Sequence, residues 1–290
     1  MAAHLHTPTP PYSHTPKLPV RWPIILAYAI LTLWAIWALL PLFWMLTTSL
    51  KETRAAIKFP PEWLPTHPTL MNYERLFARA PALRWFANSA IVAIAHTFSM
   101  LLFCSMAGYA FAKKEFPGKT AIFWGLLSTM MIPGMVLLVP LFLLVSRMGL
   151  INNFGGLILP GMVGAFGVFL MKQFIQTLPG ELLDAARIDG AGELGVYSRV
   201  ILPLSKPALA VLGIFSFMGA WNDFLWPLLI TQSKDMRTLA VGLATLQQES
   251  MTDYGLLMAG SAVAAIPMII VFFAFQKHFL KGLTIGAIKG

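Results

Sequence analysis

Six apolar runs punctuate this chain: Pro23 to Leu46, Trp85 to Phe111, Ala121 to Val145, Leu157 to Ile175, Pro207 to Ile230 and Leu256 to Phe275. Each is bounded by Lys, Arg, Pro or Gly. A helix rises about 1.5 Å per residue, so about 20 residues cross a hydrocarbon layer about 30 Å thick. The pattern predicts an all-α membrane protein with six transmembrane helices. The first run, at 24 residues, is too long for a signal-peptide core of roughly 7 to 15 residues and reads as an uncleaved span. Proline recurs inside the runs, at Pro41, Pro133, Pro140, Pro160, Pro227 and Pro267. Each removes a backbone donor and kinks a helix, which lipid tolerates only where neighbours satisfy the freed carbonyls. Kinked helices suit a moving bundle more than an inert anchor.

Composition supports this reading. Only 11% of the 290 residues are charged and 57% are hydrophobic, against roughly 25% charged in a soluble domain. No long polar segment is left over, so the expected organisation is one membrane domain over residues 22–281, with cytoplasmic tails at 1–21 and 282–290. An ATPase or enzyme domain has no room. The segment from Met1 to Arg21 is rich in Pro, Thr and His. Its scattered His4, His6 and His14 allow a metal-site reading, but the composition favours a disordered tail. Cys104 is the only cysteine, so no intrachain disulfide forms.

The net charge of +9 raises nucleic acid as a partner, yet the Lys and Arg sit in short segments between apolar runs. Lipid headgroups and loop-docked proteins are their expected neighbours, with no nucleic acid. Six spans put both termini on one face. That face carries twelve Lys and Arg against nine on the other, with Lys113, Lys114 and Lys119 in a very short loop. The bias places both termini in the cytoplasm of a multi-pass inner-membrane protein.

Catalytic motifs do not emerge. The "GKT" at Gly118 to Thr120 lacks the glycine five residues earlier, where Lys113 stands, and lacks a strand leading in. No His/Cys cluster has metal-ligand spacing, and no Ser, His and Asp set forms a triad. His67, His96 and His278 read as packing or interfacial residues. Asp223, in "WNDFLWPLLI", is the only carboxylate inside a run, and an intramembrane charge is a functional hypothesis by default. Proton relay is one version; a packing or gate hydrogen bond with Asn222 is the other, favoured by the position in the outer third of its helix. Two outer segments, Thr48 to Arg84 and Thr231 to Tyr254, cap the bundle or receive an outside partner.

The most informative stretch is the polar loop "TLPGELLDAARIDGAGELGVYSRVILPLSKPAL", Thr177 to Leu209. Pro179 suits a first helical turn, Glu181 and Asp184 oppose the positive end of the helix dipole, and Gly190 suits a left-handed stop. A helix of about ten residues is expected, then a second short one through Tyr197 that ends before Pro203. A helix that short is marginal in water, so something packs against it: the bundle's own underside, or a separate cytoplasmic protein that takes it in a groove.

This loop resembles the cytoplasmic coupling motif of binding-protein-dependent ABC importer permeases, in the form of the carbohydrate-uptake branch, and is similar to the smaller maltose-type permease. Asp184, Ala185 and Ala186 occupy the motif's Glu-Ala-Ala positions, "RIDGA" follows at Arg187 to Ala191, and "ILPLSKPAL" closes it. Asp184 departs from the family's Glu, keeping the charge but shortening the reach. "FPPEWLP", "NYERLF", Asn88-Ser89, "FPGK", "WNDFLWPL" and the terminal "QKHFLKGLTIGAIKG" extend the resemblance along nearly the whole chain.

The resemblance implies a coupling helix between spans four and five, docking an ATPase subunit through Glu181, Asp184, Ala185, Ala186, Arg187, Asp189 and Gly190. It implies a second homologous permease, two ATP-binding subunits that bind ATP in place of any cofactor in this chain, and a solute-binding protein outside. The expected cargo is a sugar or sugar-like solute, including polyols and glycerol-phosphate types, with Asn222 and Asp223 as candidate path or gate residues. In this branch the other permease can hold the main solute contacts. The competing readings are an ion-coupled secondary transporter using Asp223 and a membrane scaffold or channel subunit.

Overall fold

The structure, a computed structural model, describes residues 22–52, 56, 58–249 and 253–285. The expected tail at 1–21, and the other tail from residue 286 on, lie outside the described residues, as does the side chain of His278. Among the described residues every regular element is a helix. The chain forms two compact units, one ending at Trp44 and the other starting at Met45. The first is most of α1 (Trp22–Ser49), which contains Pro41. It is apolar on every side, as a lipid-facing helix is.

The second unit is organised around α3 (Ala82–Lys113), which packs along both α7 (Ala165–Gln176) and α11 (Lys206–Asn222). The last long helix, α14 (Tyr254–Ile285), contains Pro267 and runs past the expected boundary at residue 281. It packs on α11, on α13 (Leu239–Glu249) and on the short α2 (Met71–Arg79).

Three of the six predicted runs are not single helices. The third is α4 (Lys119–Ser128) with a 3-10 turn to Met131, then α5 (Gly134–Arg147), bent by 104°. Pro133 explains the position of the break: a residue before proline is pushed out of the helical region, and Ile132 is extended at φ −83° and ψ 118°. The fourth is α6 (Phe154–Ile158) with a 3-10 turn to Gly161, then α7, bent by 45° across an extended Gly164. The fifth ends at Asn222, leaves the helix at Asp223, and resumes as α12 (Leu225–Ile230). A 78° bend also separates the helical stretch Glu193–Leu204 from α11. By length and apolarity, three described helices can cross a membrane, or up to six if each bent pair is one span.

The two expected outer segments pack over the N-terminal end of α3. Trp85 Nε1 donates to the Lys234 carbonyl at 2.7 Å, and Asn88 Nδ2 to the carbonyls of Asp235 and Arg237 at 2.7 and 2.9 Å. The Ser89 hydroxyl accepts from the Leu239 amide at 2.8 Å. Nearby, buried Asn72 donates to the carbonyls of Ser49 and Lys51 at 2.8 and 2.7 Å, and Arg75 pairs with Asp253. Burial holds the Lys51 ammonium below the ordinary lysine range, against the opposing pull of the Glu62 charge. These groups satisfy loop carbonyls that would otherwise be stranded away from water, so the segments form a fixed cap, and Asn88-Ser89 are part of what holds it.

Candidate functional site

Between α7 and α11 the polar loop folds as α8 (Gly180–Ile188), with Pro179 at its N-cap, Glu181 in the first turn and Arg187 in the last. At its end the Ala191 amide reaches back to the Ala186 carbonyl at 2.9 Å, and the Gly190 amide to that of Arg187 at 3.0 Å. This is the Schellman pairing, which places the residue after the cap in the left-handed region; Gly190 has φ +82°. A Cβ on Gly190 would meet nothing within 4 Å, so conformation rather than space demands glycine. Gly190→Val is expected to loosen this closure by about 1–2 kcal/mol, while Gly190→Asn is tolerated because Asn visits the left-handed region readily. Limited proteolysis of membrane vesicles at Asp189 to Ala191 checks this: Val speeds cleavage and Asn does not.

The seven expected docking residues fall on this one helix and its cap but divide between two faces. Leu183 is buried and Ala186 half-buried, both against a core of Cys104, Met171, Ile175, Val196 and Ile201. Ala185, Asp189, Leu182 and Ile188 are exposed, Ile188 by 86%. Asp184 is paired within the helix to Arg187 at 2.9 Å. Ala185 and Ala186 are adjacent in sequence, so they point about 100° apart on a helix. Only Ala185 is presented outward.

After Gly192, α9 (Glu193–Val196) passes into a π turn over Tyr197–Ile201 and α10 (Leu202–Leu204). The helix was expected to end before Pro203 but runs through it to Leu204. The wider π turn just upstream gives the ring room that an α-turn would fill with a carbonyl.

A set of contacts that the sequence reading did not single out joins this segment to α3. Glu193 Oε2 accepts from the Tyr109 hydroxyl at 2.9 Å and pairs with Lys114, while its Oε1 lies 3.6 Å from the Arg187 guanidinium. The hydroxyls of Ser105 and Tyr197 are 2.7 Å apart in a buried contact. Lys113 Nζ donates to the Leu178 carbonyl at 2.5 Å. The one local signal was an acidic residue opening a helix at Glu193; its partner Tyr109 lies 84 positions earlier, beyond any local pattern.

In the membrane part, a cavity of about 480 Å³ opens among α3, α5, α7, α11 and α12. Its wall is largely apolar and aromatic, with Phe166, Phe215 and Trp226, and three polar side chains reach it: His96, Ser216 and Asp223. His96 Nδ1 and Ser216 Oγ are 3.0 Å apart, so His96, expected only to pack, belongs to the cavity. Asp223 accepts from the Trp226 amide at 3.4 Å and thereby caps α12 where the helix breaks. No Asn222–Asp223 hydrogen bond is found among the described residues; Asn222 is exposed and Asp223 faces the cavity. The Trp226 indole donates to the Gly156 carbonyl at 2.9 Å, tying α12 to α6. Among the described residues no three His, Cys, Asp or Glu side chains come together as metal ligands would.

Residues 100–285 match the family model of binding-protein-dependent transport system inner membrane components. The chain is 38% identical over 275 residues to the arabinooligosaccharides transport system permease protein AraQ of Halalkalibacterium halodurans, covering 93% of this chain and 97% of the relative. It is 32% identical over 269 residues to the sn-glycerol-3-phosphate transport system permease protein UgpE of Brucella abortus, covering 90% and 95%. Among solved structures, that of a bacterial ABC transporter involved in the import of the acidic polysaccharide alginate superposes with a TM-score of 0.79 at 25% identity, covering 93% of this chain and 100% of that one. These likenesses leave the ion-coupled reading of Asp223 without support. With the family model matched over residues 100–285 and a relative 38% identical along nearly its whole length, this chain belongs to the binding-protein-dependent transport system inner membrane components, the membrane permeases of solute importers.

Proposed function

We propose that this chain is one of two permease subunits of an ATP-driven importer that brings a sugar or sugar-like solute into the cytoplasm. Taking each bent pair as one span gives six, with α8 between the fourth and fifth and both termini in the cytoplasm. A single membrane domain over residues 22–281 then carries the transport machinery, flanked by two cytoplasmic tails. A second, homologous permease completes the path, and two ATP-binding subunits beneath supply the ATP site and the hydrolysis. A solute-binding protein delivers cargo from outside.

The observation that carries this reading is α8. It is a nine-residue helix with a locked end, an inner face packed on the bundle and a large aliphatic side chain, Ile188, left outside at 86% exposure. An amphipathic helix in that state is built to be received in a partner's groove. Switching follows when the partner binds the two permease states with different affinity, since equal affinity shifts nothing. The cavity at His96, Ser216 and Asp223 forms part of the wall of the path. Aromatic faces with a few convergent polar groups are how hydroxylated solutes are oriented, and the relatives named for arabinooligosaccharides and glycerol phosphate bound the class of cargo.

Gentle detergent extraction of the tagged protein, identification of what co-purifies by mass, and an ATPase assay test the assignment. An ATP-binding subunit and a second permease are expected to come with it. A chain that emerges alone under several mild conditions, with no associated ATP hydrolysis, sinks the proposal.

A further inference from the structure

We infer that Glu193 is the positioning residue that hands movement of α8 to the long helix α3; this rests on the reading of α8 as the coupling helix. Ser105, Tyr109 and Lys113 are spaced four apart and so form one stripe along α3. Glu193 and Tyr197 are likewise four apart. The two sets meet as an antiparallel zipper, Ser105 with Tyr197 at 2.7 Å and Tyr109 with Glu193 at 2.9 Å. The third member, Lys113, holds the Leu178 carbonyl at 2.5 Å, just before α8 begins. α8 is therefore held to α3 on both sides, at Leu178 before it and at Glu193 after it.

Among the described residues, Glu193 is the one of these whose charged group also pairs with a side chain of α8. Its carboxylate divides its two oxygens between elements, one toward Tyr109 of α3 and Lys114 at the C-terminal cap of α3, and one toward Arg187 of α8. The apolar contacts of Leu183 and Ala186 hold α8 against the core but carry no direction; the hydrogen bonds and ion pairs at Glu193 do. The side chains of Glu193, Lys114 and Arg187 are 56%, 31% and 40% exposed, and pairs that open to water add little to stability. Geometry is what this carboxylate supplies. When α8 tilts, Arg187 and the turn at Gly190 carry Glu193 with them, and the two-point zipper makes α3 follow, because slipping by one residue would break both hydroxyl contacts together.

The test is solute transported per ATP hydrolysed by the whole importer in liposomes, for Glu193→Ala, Lys114→Glu and the exchange pair Glu193→Lys with Lys114→Glu. The expected result for Glu193→Ala is an assembled complex that still hydrolyses ATP while transport per ATP falls about tenfold, within the range of ordinary coupling free energies. The exchanged pair restores part of that loss by re-forming the link to α3. Wild-type coupling in Glu193→Ala overturns the inference. So does failure of that variant to assemble, which would make the residue a stability element. If instead an exposed α8 substitution such as Ile188→Asp leaves assembly and coupling intact, it is the coupling-helix reading that has failed, and the zipper at Glu193 is then only a packing contact.

Discussion

Replacing Ile188 with Asp is expected to abolish recovery of an ATP-binding subunit with the extracted permease, and ATP-driven uptake with it, while the thermal stability of the permease itself stays unchanged. Ile188 is 86% exposed and its loss costs the permease no internal packing. On the proposed docking of α8 it enters the partner's groove, where burial of an aliphatic side chain stabilises by about 1.5–3 kcal/mol. An unpaired carboxylate in the same place costs several kcal/mol more. Losing even about 2.7 kcal/mol weakens association about 100-fold, enough to empty the complex during purification. Ala186→Glu is a poorer probe, because Ala186 packs on the permease's own core and its substitution confounds folding with docking. Full co-purification and full uptake by the Ile188→Asp variant would show that α8 is not the docked helix.

Gly108→Leu is expected to remove the folded permease from the membrane fraction, and Gly108→Ala to lower its melting temperature clearly. A Cβ at Gly108 would lie 2.6 Å from the Met171 Cβ and 2.9 Å from the backbone nitrogen of Lys172. Backbone cannot swing aside as a side-chain tip can, so α3 and α7 must part along the interface that organises the second unit. Overpacking by a few methylenes costs about 1–3 kcal/mol in a well-packed core, and membrane helices depend on small residues for close approach. Gly219→Ala is the control, since its Cβ would meet nothing within 4 Å. A Gly108→Ala protein as stable as its parent, in a thermal melt with intact secondary structure as the signal, would overturn the close α3–α7 contact.

Each of these predictions draws on a different depth of reading. Gly190 was legible at once: Pro179 before a helix, Glu181 in its first turn and a glycine after it are local signals, and the local hydrogen bonds they predict are the ones that form. Gly108 was not, because "CSMAGYAF" is one more apolar stretch until α7 is laid against it. Ile188 stood between the two. The sequence placed it on a short helix, but which residues face the bundle depended on where Leu183 found its core. His96 read as a packing residue for the same reason: its partner Ser216 stands 120 positions later and no spacing rule connects them.

What the sequence determined by itself is whatever depends on a few neighbouring residues and on the solvent: the apolar runs, the helical character that lipid enforces on them, the start and stop of α8, and the site of the break before Pro133. Hydropathy and backbone sterics act over a turn or two, so they can be read without the fold. The tertiary structure alone decided how far each run bends, as in the 104° between α4 and α5. It also decided that Asp223 faces the cavity with His96, that Leu183 and Ala186 are the residues of α8 turned to the core, and that Glu193 meets Tyr109 and Lys114. Those are contacts between segments tens of residues apart, set by which helices pack together, and packing sums many weak interactions that no single stretch of chain contains.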